Sequence, residues 1–416
     1  MPQIPHYKSL DSTLALLSDG YSFISKRCQR YDSDIFITRL LLQENICMQG
    51  EEAAKIFYDT NRFLRKGAMP KRAQKTLFGE GGVQGLDGDQ HRQRKQMLMS
   101  LMTPQRINQL ANITAEKWRG YINKWENMDK VVLFPQVREI LSRAVCNWAG
   151  VPLTESEVEQ RTSDFGAMID SPATIGLQHW QGRLARDRAE LWLGNIIENV
   201  RKKKIEVDKE AALYVIAFHR NLQGELLDKR IAAVDLLNVL RPTVAIARYI
   251  IFAALALHEH PEWQQQIQAD EDNYIELFVQ EVRRFYPFFP FVAARVKQEF
   301  DWKGYRFPQG MRVILDLYGT NHDARLWEQP EEFKPERFRH WDGSSFNFIP
   351  QGGGDYYQNH RCAGEWITIA IMKEALKLLT TNMRYDVPEQ DLQINLSTMP
   401  AIPKSQFLIS NVRQID

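Results

Sequence analysis

Few residues in this chain are placed to do chemistry, and the densest group surrounds Cys362. Three successive glycines, Gly352 to Gly354, open a loop that this cysteine closes. An apolar segment follows at once, Trp366 to Leu379, with Ile369, Met372, Leu376 and Leu379 at helical spacing. A cysteine beside a helix N-terminus has unpaired backbone N–H groups and the positive dipole end nearby, and both favour thiolate over thiol. His360 and Arg361 add positive charge. Gly364 has no side chain and leaves space for a flat, bulky group to approach the backbone. A thiolate with a flat partner is the arrangement of a haem ligand. A buried structural cysteine near a turn is the commoner use of such a residue, and the loop alone leaves both open.

A second group lies near the middle. Asn238-Val-Leu-Arg-Pro-Thr-Val-Ala-Ile-Ala-Arg-Tyr sits inside an apolar run that reads as one long helix, Asp228 to His258. Pro242 removes the hydrogen bond to the carbonyl of Asn238 and kinks the axis. Arg241 precedes it, among Val239, Leu240, Val244, Ala245 and Ile246, and a cation in such surroundings needs a partner. Asp235 is six residues back and falls on another face. The partner is therefore a distant carboxylate or one that arrives with the substrate.

Weaker signals flank these two. Gly81-Gly-Val-Gln-Gly-Leu-Asp-Gly-Asp-Gln-His-Arg-Gln-Arg-Lys contains four glycines that permit close backbone packing. Asp89 is a candidate cap for a helix beginning near His91, on which His91 and Lys95 share a face. That pair suits either two acidic groups, such as haem propionates, or solvent. Glu281 and Arg284 are three apart on a helix that ends before Pro287, a spacing that usually means a surface ion pair.

The elements that must hold these residues are mostly helical. Ile113 to Trp125, Gln136 to Ala149 and Leu184 to Lys203 show the 3.6-residue apolar period, with breaks at Pro152 and Pro172. Asp170 to Trp180 reads as a loop that either roofs a pocket or merely joins helices. β-rich parts fall near 30–50, where Asp34 to Leu42 suggests a strand pair, at 291–317, with a hairpin about Gly304, and in the last 35 residues. Arg62 to Phe78, broken by Gly67 and Pro70, reads as a basic loop.

Whole-chain properties narrow the class. The 416 residues carry 53 basic and 52 acidic side chains, a net charge of +1, which excludes an electrostatic argument for nucleic acid or an anionic membrane. The four cysteines, Cys28, Cys47, Cys146 and Cys362, form no CxxC pair and suit a reducing cytoplasm. The N-terminal segment has no apolar run of signal-peptide or membrane-anchor length.

Glu281–Arg284, then Pro335-Glu-Arg-Phe, then the glycine loop with Cys362 and Gly364, resemble the motif series of a cytochrome P450 over essentially the whole chain. The resemblance implies a mainly α fold with small sheets, a single catalytic domain spanning 1–416, and haem b (iron protoporphyrin IX) with Cys362 as axial ligand. It assigns Glu281, Arg284 and Arg337 to a buried supporting network.

Two departures mark a branch. The phenylalanine and glycine that ordinarily stand seven and four residues before the cysteine are here Asp355 and Gln358, within a longer loop. The distal acid–alcohol pair is replaced by Arg241-Pro242. Both, with Phe63-Leu-Arg-Lys-Gly-Ala, Val83-Gln-Gly-Leu-Asp-Gly, Arg283-Arg-Phe-Tyr-Pro-Phe-Phe-Pro and Gln351-Gly-Gly-Gly, resemble the bacterial fatty-acid peroxygenases.

That branch implies hydrogen peroxide and a long-chain fatty acid as partners, with no redox partner, nucleic acid or membrane anchor. Arg241 would hold the fatty-acid carboxylate, which then serves as acid and base. Pro242 and Gln84 complete the implied catalytic set, and Phe78 and Phe288 would line the first carbons. Arg65, His91 and Lys95 would meet the haem propionates. Glutamine rather than histidine at 84 implies α/β-hydroxylation, with terminal alkene a minor product. A reductase-dependent monooxygenase of the same fold, or a haem sensor or carrier without turnover, are the competing expectations.

Overall fold

The structure is a computed structural model, which describes residues 4–7, 9–174 and 176–415. Nine helices position the site: α1 Gly88–Ser100, α2 Pro104–Trp125, α3 Leu133–Ala149, α4 Val158–Asp170, α5 Leu177–Arg201, α6 Lys229–Ala245, α7 Ala247–Glu259, α8 Tyr274–Phe285 and α9 Glu365–Lys377. The start of α2 shows why such helices form where they do. Pro104 occupies the first position, where its missing N–H costs nothing, and the Thr103 hydroxyl accepts from the Arg106 N–H. One face of α2 buries Leu110, Thr114, Trp118, Ile122 and Trp125. Trp118 and Trp125 meet edge to face, centroids 5.9 Å apart.

Helices α6 and α7 run through the middle, against α3, α5 and α9. The stretch Lys229–Glu259 is long and apolar enough to cross a membrane, but 94% of its most apolar window is buried in this protein. A helix surrounded by other helices is apolar on all sides for the same reason. Asp228 caps it, accepting from the N–H groups of Arg230 and Ile231. The single helix expected over Asp228 to His258 is two. The axis continues through Pro242 and breaks at Ile246, whose N–H donates to Thr243 three residues back. Thr243 also bends the helix by donating its hydroxyl to the Val239 carbonyl at 2.9 Å.

Ten strands complete the architecture: β1 Ile35–Leu40, β2 Gln43–Met48, β3 Phe63–Leu64, β4 Lys130–Val132, β5 Phe291–Val296, β6 Phe300–Trp302, β7 Tyr305–Phe307, β8 Arg312–Asp316, β9 Met383–Asp386 and β10 Leu408–Gln414. The main sheet has the order β1-β2-β8-β5-β3. Only β2 and β8 pair in parallel there. Strands β4, β10 and β9 form a second sheet, and β6–β7 is the hairpin expected at Gly304.

The basic loop expected over Arg62 to Phe78 is more ordered than its glycine and proline suggest. It holds β3, a helical turn at Lys71–Ala73 and a wide helical turn at Gln74–Phe78. Helix α1 also starts earlier than expected. Its cap position is Asp87, and the Asp87 carboxylate is turned to the N–H groups of Arg65 and Lys66, at 2.8 and 2.9 Å. Asp89 is not a cap; it pairs with Arg92. Between α4 and α5, Ile175 lies outside the described residues, while Leu177 and Trp180 are exposed rather than turned into a pocket.

Candidate active site

The loop before Cys362 needs its glycines. Gly352 and Gly354 have φ of +91° and +83°, where side chains are strained. A Cβ on Gly353 would lie 2.5 Å from the Ser345 carbonyl oxygen. The extra loop length is tied to itself. Asp355 Oδ1 accepts from the Tyr357 and Gln358 N–H groups, both at 2.8 Å, and Asn359 donates to the Tyr58 carbonyl at 2.8 Å. Asp355 and Gln358, standing where the usual motif has phenylalanine and glycine, thus build a turn.

Cys362 itself is partly buried. Its N–H donates to the Gln351 carbonyl at 3.1 Å, and Gln351 Nε2 lies 3.7 Å from Sγ. Burial and the nearby Glu365 carboxylate push the thiol up, against Lys95, the Gly364 N–H and Arg283. The positive surroundings expected at the sulfur are thus partly offset. Glu365 sits in the first turn of α9 and offsets the dipole. Arg361 is spent on Glu365 at 2.8 Å. His360 stacks on His91, centroids 3.9 Å apart, and burial holds it well below its usual range, so it is neutral.

One flank of the sulfur carries the three residues expected at the propionates. Lys95 is buried and donates to the Arg361 carbonyl; burial pushes it down to about 8. His91 is buried and pushed down to about 4 by burial, Lys95 and Arg65, so the expected basic pair contains a neutral imidazole. Arg65 donates to the Ala293 carbonyl at 2.8 Å and lies over the Phe57 and Tyr58 rings. Among the described residues none of the three has a carboxylate partner within salt-bridge distance. A Cβ on Gly364 would meet only Cys362 Sγ, at 4.0 Å. One thiol, an unobstructed backbone beside it, and two cationic side chains and an imidazole with no carboxylate partner among the described residues fit a flat metal-bearing group with carboxylate arms.

The second flank is α6. Arg241 is buried, its Nε has no hydrogen-bond partner, and no carboxylate of the described residues pairs with it. Burial, with the like charge of Arg186, pushes it down to about 9, Cys362 opposing. Asp235 is excluded as its partner, as the helical spacing implied. It binds Arg94 and accepts from the Val83 N–H at 3.3 Å. Gln84 and Phe78 converge on this stripe through Asn238, which donates to Gln84 Oε1 at 3.1 Å and to the Phe78 carbonyl at 2.8 Å. Phe288 stacks on Tyr249 of α7 with centroids 4.1 Å apart. Pro242 is partly buried one residue beyond Arg241.

Glu281, Arg284 and Arg337 are brought together. Arg284 donates to both Glu281 oxygens at 2.7 and 2.8 Å, and Arg337 adds a contact at 3.2 Å. The surface-pair reading of Glu281 and Arg284 fails because both side chains are fully buried. Sequence reasoning missed a second network. Arg283 donates to Glu365 and to Gln351 at 3.1 Å, and Glu365 also accepts from Tyr356 at 3.0 Å. Asn238 and Arg186 were missed too. The available signals were Asn238 three residues before Arg241, and the adjacent Arg283 and Arg284 on α8; Arg186, one of three closely spaced arginines on α5, carried no distinguishing signal.

A sulfur ligand and a buried cationic flank on opposite elements of a mainly helical fold define a haem-thiolate protein. The family model for cytochrome P450 matches residues 243–410. A solved variant of cytochrome P450SP alpha (CYP152B1) is 52% identical, covers 98% of this chain and 100% of its own, and superposes with a TM-score of 0.96. Cytochrome P450EX alpha (CYP152N1) with myristic acid is 46% identical over all of both chains, TM-score 0.96. Ligand-free cytochrome P450 OleT is 39% identical over 99% of each, TM-score 0.97. The chain belongs to the cytochrome P450 family, and its cofactor is haem b.

Proposed function

We propose that this cytochrome P450, acting as one catalytic unit over 1–416, is a peroxygenase that hydroxylates long-chain fatty acids with hydrogen peroxide, without a redox partner. The observation that carries the reading is Arg241, a buried guanidinium on the core helix with no carboxylate partner among the described residues. A fatty-acid head group supplies the missing anion. The solved P450EX alpha structure contains such an acid, myristic acid.

Cys362 would hold the haem, with Arg65, His91 and Lys95 available to its carboxylate arms, and the bound group would supply the oxidising chemistry. The chain's own residues do the rest. Arg241 fixes the carboxylate by a charge-assisted, two-point contact and so decides which carbons can react, namely the first ones. The fixed carboxylate accepts a proton from hydrogen peroxide and returns it, replacing the acid that this helix lacks. Pro242 removes one backbone donor from the helix beside that group. Gln84 cannot donate a proton as imidazolium does, so hydroxy acids form in excess of alkene. Phe78 and Phe288 pack along the first carbons. Four unpaired cysteines suit a cytoplasmic setting.

The test is hydrogen peroxide and myristic acid added to haem-loaded protein with no reductase, with products resolved by mass spectrometry, beside Arg241→Ala. Hydroxy acids from the wild type and not from the variant support the proposal. No product without a reductase overturns it in favour of a monooxygenase. Ligand-induced spectral change without product favours a sensor or carrier.

A further inference from the structure

Arg241 shares its stripe of α6 with an amide. Val234, Asn238 and Arg241 are four and three residues apart, hence on one face. Asn238 is 8% exposed, and its Nδ2 makes both of the contacts that gather this flank, to the Phe78 carbonyl and to Gln84 Oε1. The first contact decides which way round the amide sits. A backbone carbonyl only accepts, so it must face the nitrogen of Asn238. Gln84 must then offer its oxygen to the same nitrogen, and its Nε2 is turned away.

The rest of the loop has little freedom to undo this. Arg186 donates to the Leu77 carbonyl at 2.8 Å, and Asp235 takes the Val83 N–H. A Cβ on Gly82 would come within 2.9 Å of Asn238 Nδ2 and 3.2 Å of Gln84 Oε1, so the glycine admits the amide pair. Among the described residues Gln84 Nε2 donates to nothing within hydrogen-bond distance.

We infer that Asn238 is a positioning residue that presents the donor end of Gln84 to the substrate head group. The inference rests on the reading above that Arg241 seats a carboxylate. An ionised carboxylate only accepts, so Nε2–H beside it attracts while Oε1 in the same place repels. Asn238 therefore tunes affinity for the head group and holds its register, although it need not touch the substrate.

The test is a double-mutant cycle on haem-loaded protein, read by calorimetric titration with myristic acid and with 1-tetradecanol. Asn238→Leu and Gln84→Leu should each weaken myristic acid by roughly tenfold, the size of one hydrogen bond to a charged group. The double variant should bind no worse than Gln84→Leu alone, and tetradecanol should bind all forms alike. Equal losses from Asn238→Leu in both backgrounds, or an equal loss for tetradecanol, overturn the inference and leave Asn238 as packing. If Asn238→Leu does not take up haem, Asn238→Ala replaces it in the same cycle. A wild type that binds acid no better than alcohol sinks the Arg241 reading itself, and this inference with it.

Discussion

Arg284 grips Glu281 with two nitrogens, 2.7 and 2.8 Å from its two oxygens, and neither side chain reaches solvent. Glu281 also accepts from Arg337 at 3.2 Å and from the Lys334 N–H at 2.8 Å. Arg284 further donates to the carbonyls of Asn321 and Pro330, at 3.0 and 2.9 Å. One carboxylate thus joins α8 to the segment carrying Pro335–Arg339, on the way to the cysteine loop.

Removing that carboxylate strands two arginines without their acid. Glu281→Ala is expected to cost about 3–5 kcal/mol, because an uncompensated buried charge remains. Chemical denaturation of the haem-loaded protein checks this; a loss below about 1 kcal/mol would show that water reaches the network.

Arg241→Lys should retain part of the activity that Arg241→Ala loses. A lysine supplies the charge but not the planar fork, so the head group is held at one point. The expected order of kcat/KM for myristic acid is wild type, lysine, alanine, with the alanine form reduced on the order of a hundredfold. Steady-state product formation with peroxide measures it, and equal lysine and alanine variants would contradict two-point binding.

Gln84→His should raise the share of terminal alkene. The imidazole can carry the proton that a carboxamide cannot, and titrates in the working range. Gas chromatography of the products gives the ratio directly. An unchanged ratio would remove Gln84 from the control of product outcome.

Lys95 offers a change of opposite sign in two states. It is a buried ammonium without a carboxylate partner within salt-bridge distance among the described residues. Lys95→Met should stabilise haem-free protein by about 1 kcal/mol, since a charge leaves a poorly solvated place. The same variant should lose haem faster to apomyoglobin. Slower loss would place the propionates elsewhere.

Stability should fall as pH rises because of Asp316. Burial raises this carboxyl from 3.8 to about 7, Oδ1 accepts from the Gly319 N–H at 2.7 Å, and Oδ2 has no hydrogen-bond partner among the described residues. The folded state holds the proton more tightly than the unfolded chain does. Its contribution is complete below about pH 4 and is lost as pH climbs through about 7. Asp316→Asn should flatten that decline, worth on the order of a few kcal/mol at pH 8. Parallel melting curves at pH 5 and pH 8 are the measurement; parallel slopes in both proteins would rule the residue out.

The amino-acid order alone determined which residues bear chemistry and which elements carry them. Periodicity and capping act over a few residues, so α2, α6 and the Gly304 hairpin were legible locally. The same local rules misplaced the start of α1 and hid the break at Ile246, because Asp87 and Thr243 spend their side chains on distant or backbone groups. Charges were the least legible. Whether His91 is cationic, whether Cys362 ionises and whether Arg241 lacks a partner depend on solvent exclusion and on neighbours up to hundreds of residues away. Those are properties of packing, and only the tertiary structure brought Asn238 to Gln84, Arg283 to Glu365 and, among the described residues, no carboxylate to Arg241.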